Sequence, residues 1–293
     1  MTILKSKAIN SWGLFWLVSL SMSALMVWEM WSTDVSSPPG VSAMIGYSVR
    51  FAVPIIFLVV ATSALQYLTP SALTRWLMRN RKYIGLCFAV AMAWQGFFIF
   101  LMSSFHSDYY YDEIFYFRDE LEGSTGYLFL TAMVITSFRW GRKWLNPQQW
   151  RLIHLSGLYF LWAYPFSTYW WTLSYYGNPL VHDYLFYWLG FTAFALRIVA
   201  WGKKRLTEQS TPLAQQVLGG ALVGLGLYWS AGSLYYQDAV TTLLTTYSWS
   251  ANLELWLPFW PFEPFLSLFL MAVGTWFITR TSQRATVRSQ AHA

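Results

Sequence analysis

Polar chemistry is what this chain has least of. Charged residues occupy 11% of 293 positions, and the sequence holds one cysteine, Cys87, and four histidines. A single cysteine excludes an intramolecular disulfide and a cysteine-ligated metal cluster. Because Cys87 sits inside an apolar run, it reads as a packing residue. Neither G-x-G-x-x-G nor a P-loop occurs, so a nucleotide or flavin cradle would have to come from a partner. The sequence shows no internal repeat and leaves no room for a soluble domain between its apolar runs.

Scarce charge is matched by abundant hydrocarbon. The chain is 56% hydrophobic and 20% aromatic. Its apolar residues fall in runs of about 20, the length that crosses a hydrocarbon core of roughly 30 Å. Eight such runs can be drawn, at 12–31, 45–68, 83–104, 123–140, 152–171, 183–201, 213–236 and 256–279. They predict an all-α fold, a polytopic transmembrane helix bundle. The net charge of +6 and pI near 9.3 would suggest nucleic acid in a soluble protein. Here the basic residues stand in short segments between runs, so they set orientation and nucleic acid is not implied.

Charge sorts by side. With a cytoplasmic N-terminus, Lys5, Lys7, Arg75, Arg79, Arg81, Lys82, Arg139, Arg142, Lys143, Arg151, Lys203, Lys204, Arg205, Arg280, Arg284 and Arg288 all fall on one face. The carboxylates Asp34, Asp108, Asp112, Glu113, Asp119, Glu120, Glu122, Asp183, Asp238 and Glu254 fall on the other, with Glu208 the exception. The positive-inside rule then predicts a multi-pass protein of the inner (plasma) membrane with both termini cytoplasmic. The first run is of full spanning length and ends in Trp28, Glu29 and Trp31 instead of a small-residue cleavage site, so it reads as a retained helix.

Several local features stand out. Segment 105–122 is long, acidic and aromatic, as expected of a structured element on the outer membrane surface. Gly220 and Gly224 form a G-x-x-x-G spacing that permits close helix contact. Glu263, in a proline-rich stretch, is placed to cap the helix that follows. Glu29 and Arg50 lie near the outer ends of adjacent antiparallel runs, which predicts a structural ion pair.

A central block carries a family likeness. Arg81-Lys82-Tyr83-Ile84-Gly85-Leu86 heads the third run, T-A-M-V-I-T-S-F at 131–138 closes the fourth, and Trp150-Arg151-Leu152-Ile153-His154 with 159–162 marks the fifth. This block, about a third of the chain, resembles the ferric reductase-like transmembrane domain. That superfamily includes metalloreductases, NADPH oxidases and the haem-bearing membrane subunit of the bacterial methionine-sulfoxide reductase system, to which the block is most similar. The resemblance implies b-type haem held by histidines between the third and fifth runs.

Spacing places those ligand positions. Gln95 lies 14 residues beyond Arg81, and Ser167 lies 13 beyond His154. Each interval is a helical rise of about 20 Å, so the resemblance puts 95 opposite 167 and 81 opposite 154. Glutamine and serine are weak neutral donors, and Arg81 is permanently cationic. The bis-histidine pattern is thus degenerate, with Gln95 and Ser167 at the outer ligand positions and His154 as the single imidazole. Two readings remain open: no haem, or one five-coordinate haem b on His154. Without haem, His154 is expected to hydrogen-bond a neighbouring carbonyl or a lipid phosphate. On the outer face His106 and His182, with Asp108 and Asp183, are candidate ligands for a transition metal.

The expected organisation is a six-helix ferric reductase-like core at 1–205, two further helices at 206–280 and a cytoplasmic tail at 281–293. The expected function is that of a membrane partner or scaffold subunit of a redox system, without cofactor. The alternative is a haem- or quinone-dependent electron-transfer subunit. Expected partners are the bilayer and either a redox protein or a quinone.

Overall fold

The structure, a computed structural model, describes residues 3–175, 178–206, 211–245 and 263–280. Glu208, Glu254, the first part of the eighth run and the tail 281–293 with Arg284 and Arg288 lie outside the described residues, as do the side chains of Asp238 and Glu263. Every described element is helical. The long helices are α1 (Trp12–Ser32), α2 (Pro38–Leu68), α3 (Ala72–Phe105), α5 (Phe117–Thr136), α7 (Pro147–Tyr175), α8 (Val181–Arg205), α9 (Leu213–Thr245) and α10 (Glu263–Thr279). Short turns complete the set: two 3-10 turns (Ile3–Lys5 and Lys7–Ile9), α4 (Ser107–Tyr109), which runs into a π-helical turn (Tyr110–Ile114), and α6 (Arg139–Arg142).

Four of these, α1, α2, α3 and α8, are long and apolar enough to cross a membrane, and α10 contains a shorter apolar helix. The chain is therefore an all-α protein of membrane type. Three expected runs, in α5, α7 and α9, are not among the four. Two of these helices begin polar: α5 carries Asp119 and Glu120 in its first turn, and α7 opens on Pro147-Gln148-Gln149. Trp28 and Trp31, 70% and 86% exposed, close α1 as an interfacial anchor would.

Helix starts follow from local chemistry. Ser37 accepts the Gly40 N–H, and Pro38 and Pro39 fill the first helical positions of α2, where a missing donor costs nothing. Ser71 and Thr74 form a reciprocal capping box at α3. That box places the helix start at Ala72, well before the expected 83. Arg75, Arg79, Arg81 and Lys82, expected in a loop, therefore ride on helical turns of α3.

Two compact units divide within α7: Met1–Phe166 and Ser167–Ala293. In the first, α3 packs along α2 and against α1. One end of this packing is an apolar cluster of Met26, Val41, Met44, Phe98, Met102 and Tyr110. The other end is a polar clasp. Asn80 is fully buried; its Oδ1 accepts the Ser11 N–H at 2.8 Å, and its Nδ2 donates to Asn10 Oδ1 and to the Trp76 carbonyl, both at 3.1 Å. Trp76 Nε1 donates to the Ile9 carbonyl at 3.0 Å. Ser11 has φ 56, so the chain turns sharply into α1 at this point.

In the second unit, α9 packs on α10 at glycine-only approaches. A Cβ at Gly219 would stand 2.6 Å from the Gly274 carbonyl oxygen, and one at Gly226 would stand 2.5 Å from that of Ser267. The expected pair, Gly220 and Gly224, meets nothing within 4 Å. Gly219 and Gly226 are two turns apart and share a face, whereas Gly220 and Gly224 lie round the helix from it. Tyr187, almost fully buried, donates its hydroxyl to the Ser230 carbonyl at 2.8 Å and ties α8 to α9.

Candidate functional site

A cavity of about 470 Å³ opens in the first unit where α3 begins, α5 ends, α6 lies and α7 starts. Its inner wall is apolar, formed by Ile56, Val59, Leu86, Phe88, Leu130, Met133, Leu158 and Leu161. Its rim carries Arg81, Lys82, Arg139, Arg142 and Arg151, and among the described residues no carboxylate lines it. His154 lines the same cavity as Arg81.

The end of α5 organises the polar wall. Thr136 donates its hydroxyl proton to the Ala132 carbonyl at 2.6 Å, as a helical threonine does. With that proton committed, its Oγ1 acts as acceptor toward His154 Nε2, 2.9 Å away. His154 therefore carries its proton on Nε2. The Thr136 carbonyl accepts from Trp150 Nε1 at 3.1 Å. Trp150 and His154, one turn apart on α7, lie with ring centroids 4.2 Å apart.

Aromatic rings also hold the cations. The Arg142 guanidinium sits 4.2 Å over the Trp150 ring, and Lys82 Nζ sits 4.9 Å over Phe138. Phe138 in turn stacks between Trp12 at 6.3 Å and Trp140 at 6.5 Å. Gly141 makes this arrangement possible. A Cβ there would lie 2.2 Å from the Ile135 carbonyl oxygen, so only glycine lets α6 fold back on the last turn of α5.

The donor set does not fit a bis-histidine iron. One imidazole lines the cavity, and its Nε2 is a hydrogen-bond donor to Thr136 instead of an open lone pair. Gln95 is half-buried on α3, where the Tyr127 hydroxyl reaches its Oε1 at 3.2 Å and the Met92 carbonyl at 3.1 Å. Ser167 is buried on α7, in the second unit.

The remaining candidates belong to different units. His106 caps α3 in the first unit, and its backbone N–H bonds the Met102 carbonyl. His182 belongs to the second unit and lies 3.4 Å from Asp183, whose Oδ2 accepts the Leu180 N–H at 2.8 Å. Among the described residues no group of three or more His, Cys, Asp or Glu side chains is placed to hold a metal ion. Glu29 is half-buried and Arg50 exposed, and among the described residues no ion pair joins them.

Sequence reasoning assigned Arg139, Arg142 and Arg151 to topology alone and gave Thr136 no role beyond the quoted motif. The i, i+4 spacing of Trp150 and His154 was the available signal for a shared face. No family model matches the chain, and comparison with curated proteins and with solved structures found no match.

Proposed function

We propose that this chain is a multi-pass subunit of the inner membrane, built on a ferric reductase-like transmembrane domain without bis-histidine haem, and that it serves as the membrane partner of a redox system. In this reading all eight apolar runs span and both termini are cytoplasmic, which puts the basic rim of the cavity at the cytoplasmic surface. The observation that carries it is the pairing of one imidazole, His154, engaged by Thr136, with a permanent cation, Arg81, in the wall of a single cavity. Two imidazoles would be needed there to clasp iron in the manner of the family the sequence resembles.

A second reading is favoured by the cavity itself. Its apolar wall, with Trp150 and Phe138 beside the rim, suits a quinone, and the chain would then pass electrons through that quinone or through a five-coordinate haem b on His154. Absorbance of the detergent-purified protein, oxidised and then dithionite-reduced, separates the first reading from the haem form of the second, and solvent extraction of bound quinone tests the other form. The first reading expects a spectrum without Soret or α bands. A reducible Soret band that disappears in His154→Ala would establish the second.

A further inference from the structure

We infer that the cavity of the first unit is a binding site for one anionic phospholipid, its phosphate on the basic rim and one acyl chain along the apolar wall. The inference rests on the membrane placement proposed above and on the first reading, since a haem or quinone would fill the same cavity; the absorbance spectrum checks the haem by itself.

Charge is the first ground. Five cations converge on one rim with no carboxylate in the wall among the described residues, an arrangement whose mutual repulsion is relieved by an anion. Orientation is the second. The Arg142 guanidinium is held 4.2 Å over the Trp150 ring, and Phe138 holds Lys82 at 4.9 Å in the same rim, so both cations are fixed where an anion would meet them. A guanidinium fork matches phosphate oxygens in geometry as well as charge.

Shape is the third ground. Behind the rim the wall is hydrocarbon, and the volume of about 470 Å³ lies within the range of small-molecule pockets. A free phosphate would use the rim and leave the apolar wall wet. An uncharged hydrocarbon would use the wall and bring no anion to the basic rim. A phosphate-headed amphiphile satisfies both. Gly85 lines the cavity, and a Cβ built on it meets no atom within 4 Å, so a side chain added there would enter open space without displacing the helices.

The test uses the full chain purified in mild detergent, with bound lipid counted by native mass spectrometry. Phosphatidylglycerol, phosphatidylcholine and inorganic phosphate are the three probes. One phosphatidylglycerol per chain is expected to survive, with affinity about tenfold above phosphatidylcholine. Removing two rim charges in Arg139→Gln/Arg142→Gln is expected to weaken it about tenfold, while the charge-matched Lys7→Gln/Arg75→Gln, outside the cavity, changes it less than about twofold. Gly85→Leu keeps every charge and fills the tail space; it is expected to lose the lipid and to keep the helical circular dichroism of the parent. That variant decides the matter if the arginine pair fails to fold. Equal retention of the two lipids, no loss in Gly85→Leu, or full competition by inorganic phosphate alone would overturn the inference. Carbonate extraction of the membranes checks the placement by itself, so its failure is told apart from failure of the site.

Discussion

Asn80 and Thr136 show how single polar side chains set this protein's geometry. Asn80 is buried on α3 and accepts the Ser11 N–H, so Asn80→Leu removes that bond together with those to Asn10 and to the Trp76 carbonyl. We expect that variant to lose about 1–3 kcal/mol of stability, measured by thermal unfolding in detergent. A retained midpoint would show that the clasp is dispensable. Thr136 holds the His154 proton on Nε2. ¹⁵N spectra of labelled histidine should therefore show that tautomer in the parent and lose the preference in Thr136→Val. Between α3 and α5, Tyr110 donates its hydroxyl to Glu120. Burial first, and then this carboxylate, raise the phenol's ionisation well above its ordinary value. Its contribution is fully present below about pH 10 and is lost as pH rises beyond that, because the folded state holds the proton longer than the unfolded chain does. Tyr110→Phe should flatten the alkaline loss of stability, and an unchanged alkaline limb would contradict the assignment. Of these residues the sequence made His154 visible, because imidazole is rare in it. Thr136 stayed hidden, because threonine is common at helix ends and its partner lies 18 residues away.

At the scale of elements, glycines decide which helix faces meet. Gly219 and Gly274 approach so closely that either Cβ would strike the other's carbonyl oxygen, at 2.6 and 2.5 Å. Gly219→Leu should lower the unfolding temperature, while Gly220→Leu, with open space at its Cβ, should leave it unchanged or raise it through better helix propensity. The reverse order would show that α9 packs through its other face. This contact was only half legible. The G-x-x-x-G spacing marked the right helix, but glycines crowd 219–226, and spacing alone does not say which of them faces a partner. Helix starts were misread for a related reason. The capping box at Ser71 and Thr74 lies in a polar stretch that hydropathy assigns to a loop, so the basic residues that follow were placed off the helix. What hydropathy reads well is the middle of each helix, where burial and lipid select the same residues.

For the molecule as a whole, composition alone made the all-α membrane character legible, because 56% hydrophobic residues in runs of spanning length leave few other architectures. The cavity was not legible. Its rim joins residues of α3, α6 and α7 that are far apart in sequence, and their charges already had an explanation in membrane orientation. Reporter fusions after residues 34, 72, 112, 145, 178 and 208 should alternate between outer and cytoplasmic signals in that order, as an eight-span chain with a cytoplasmic N-terminus requires. Two adjacent fusions with the same signal would remove spans from the account. The most direct measurement of the central claim is the iron and porphyrin content of the purified chain after expression with a haem precursor supplied. The account predicts that neither is present in stoichiometric amount; one iron porphyrin per chain, lost in His154→Ala, would contradict it.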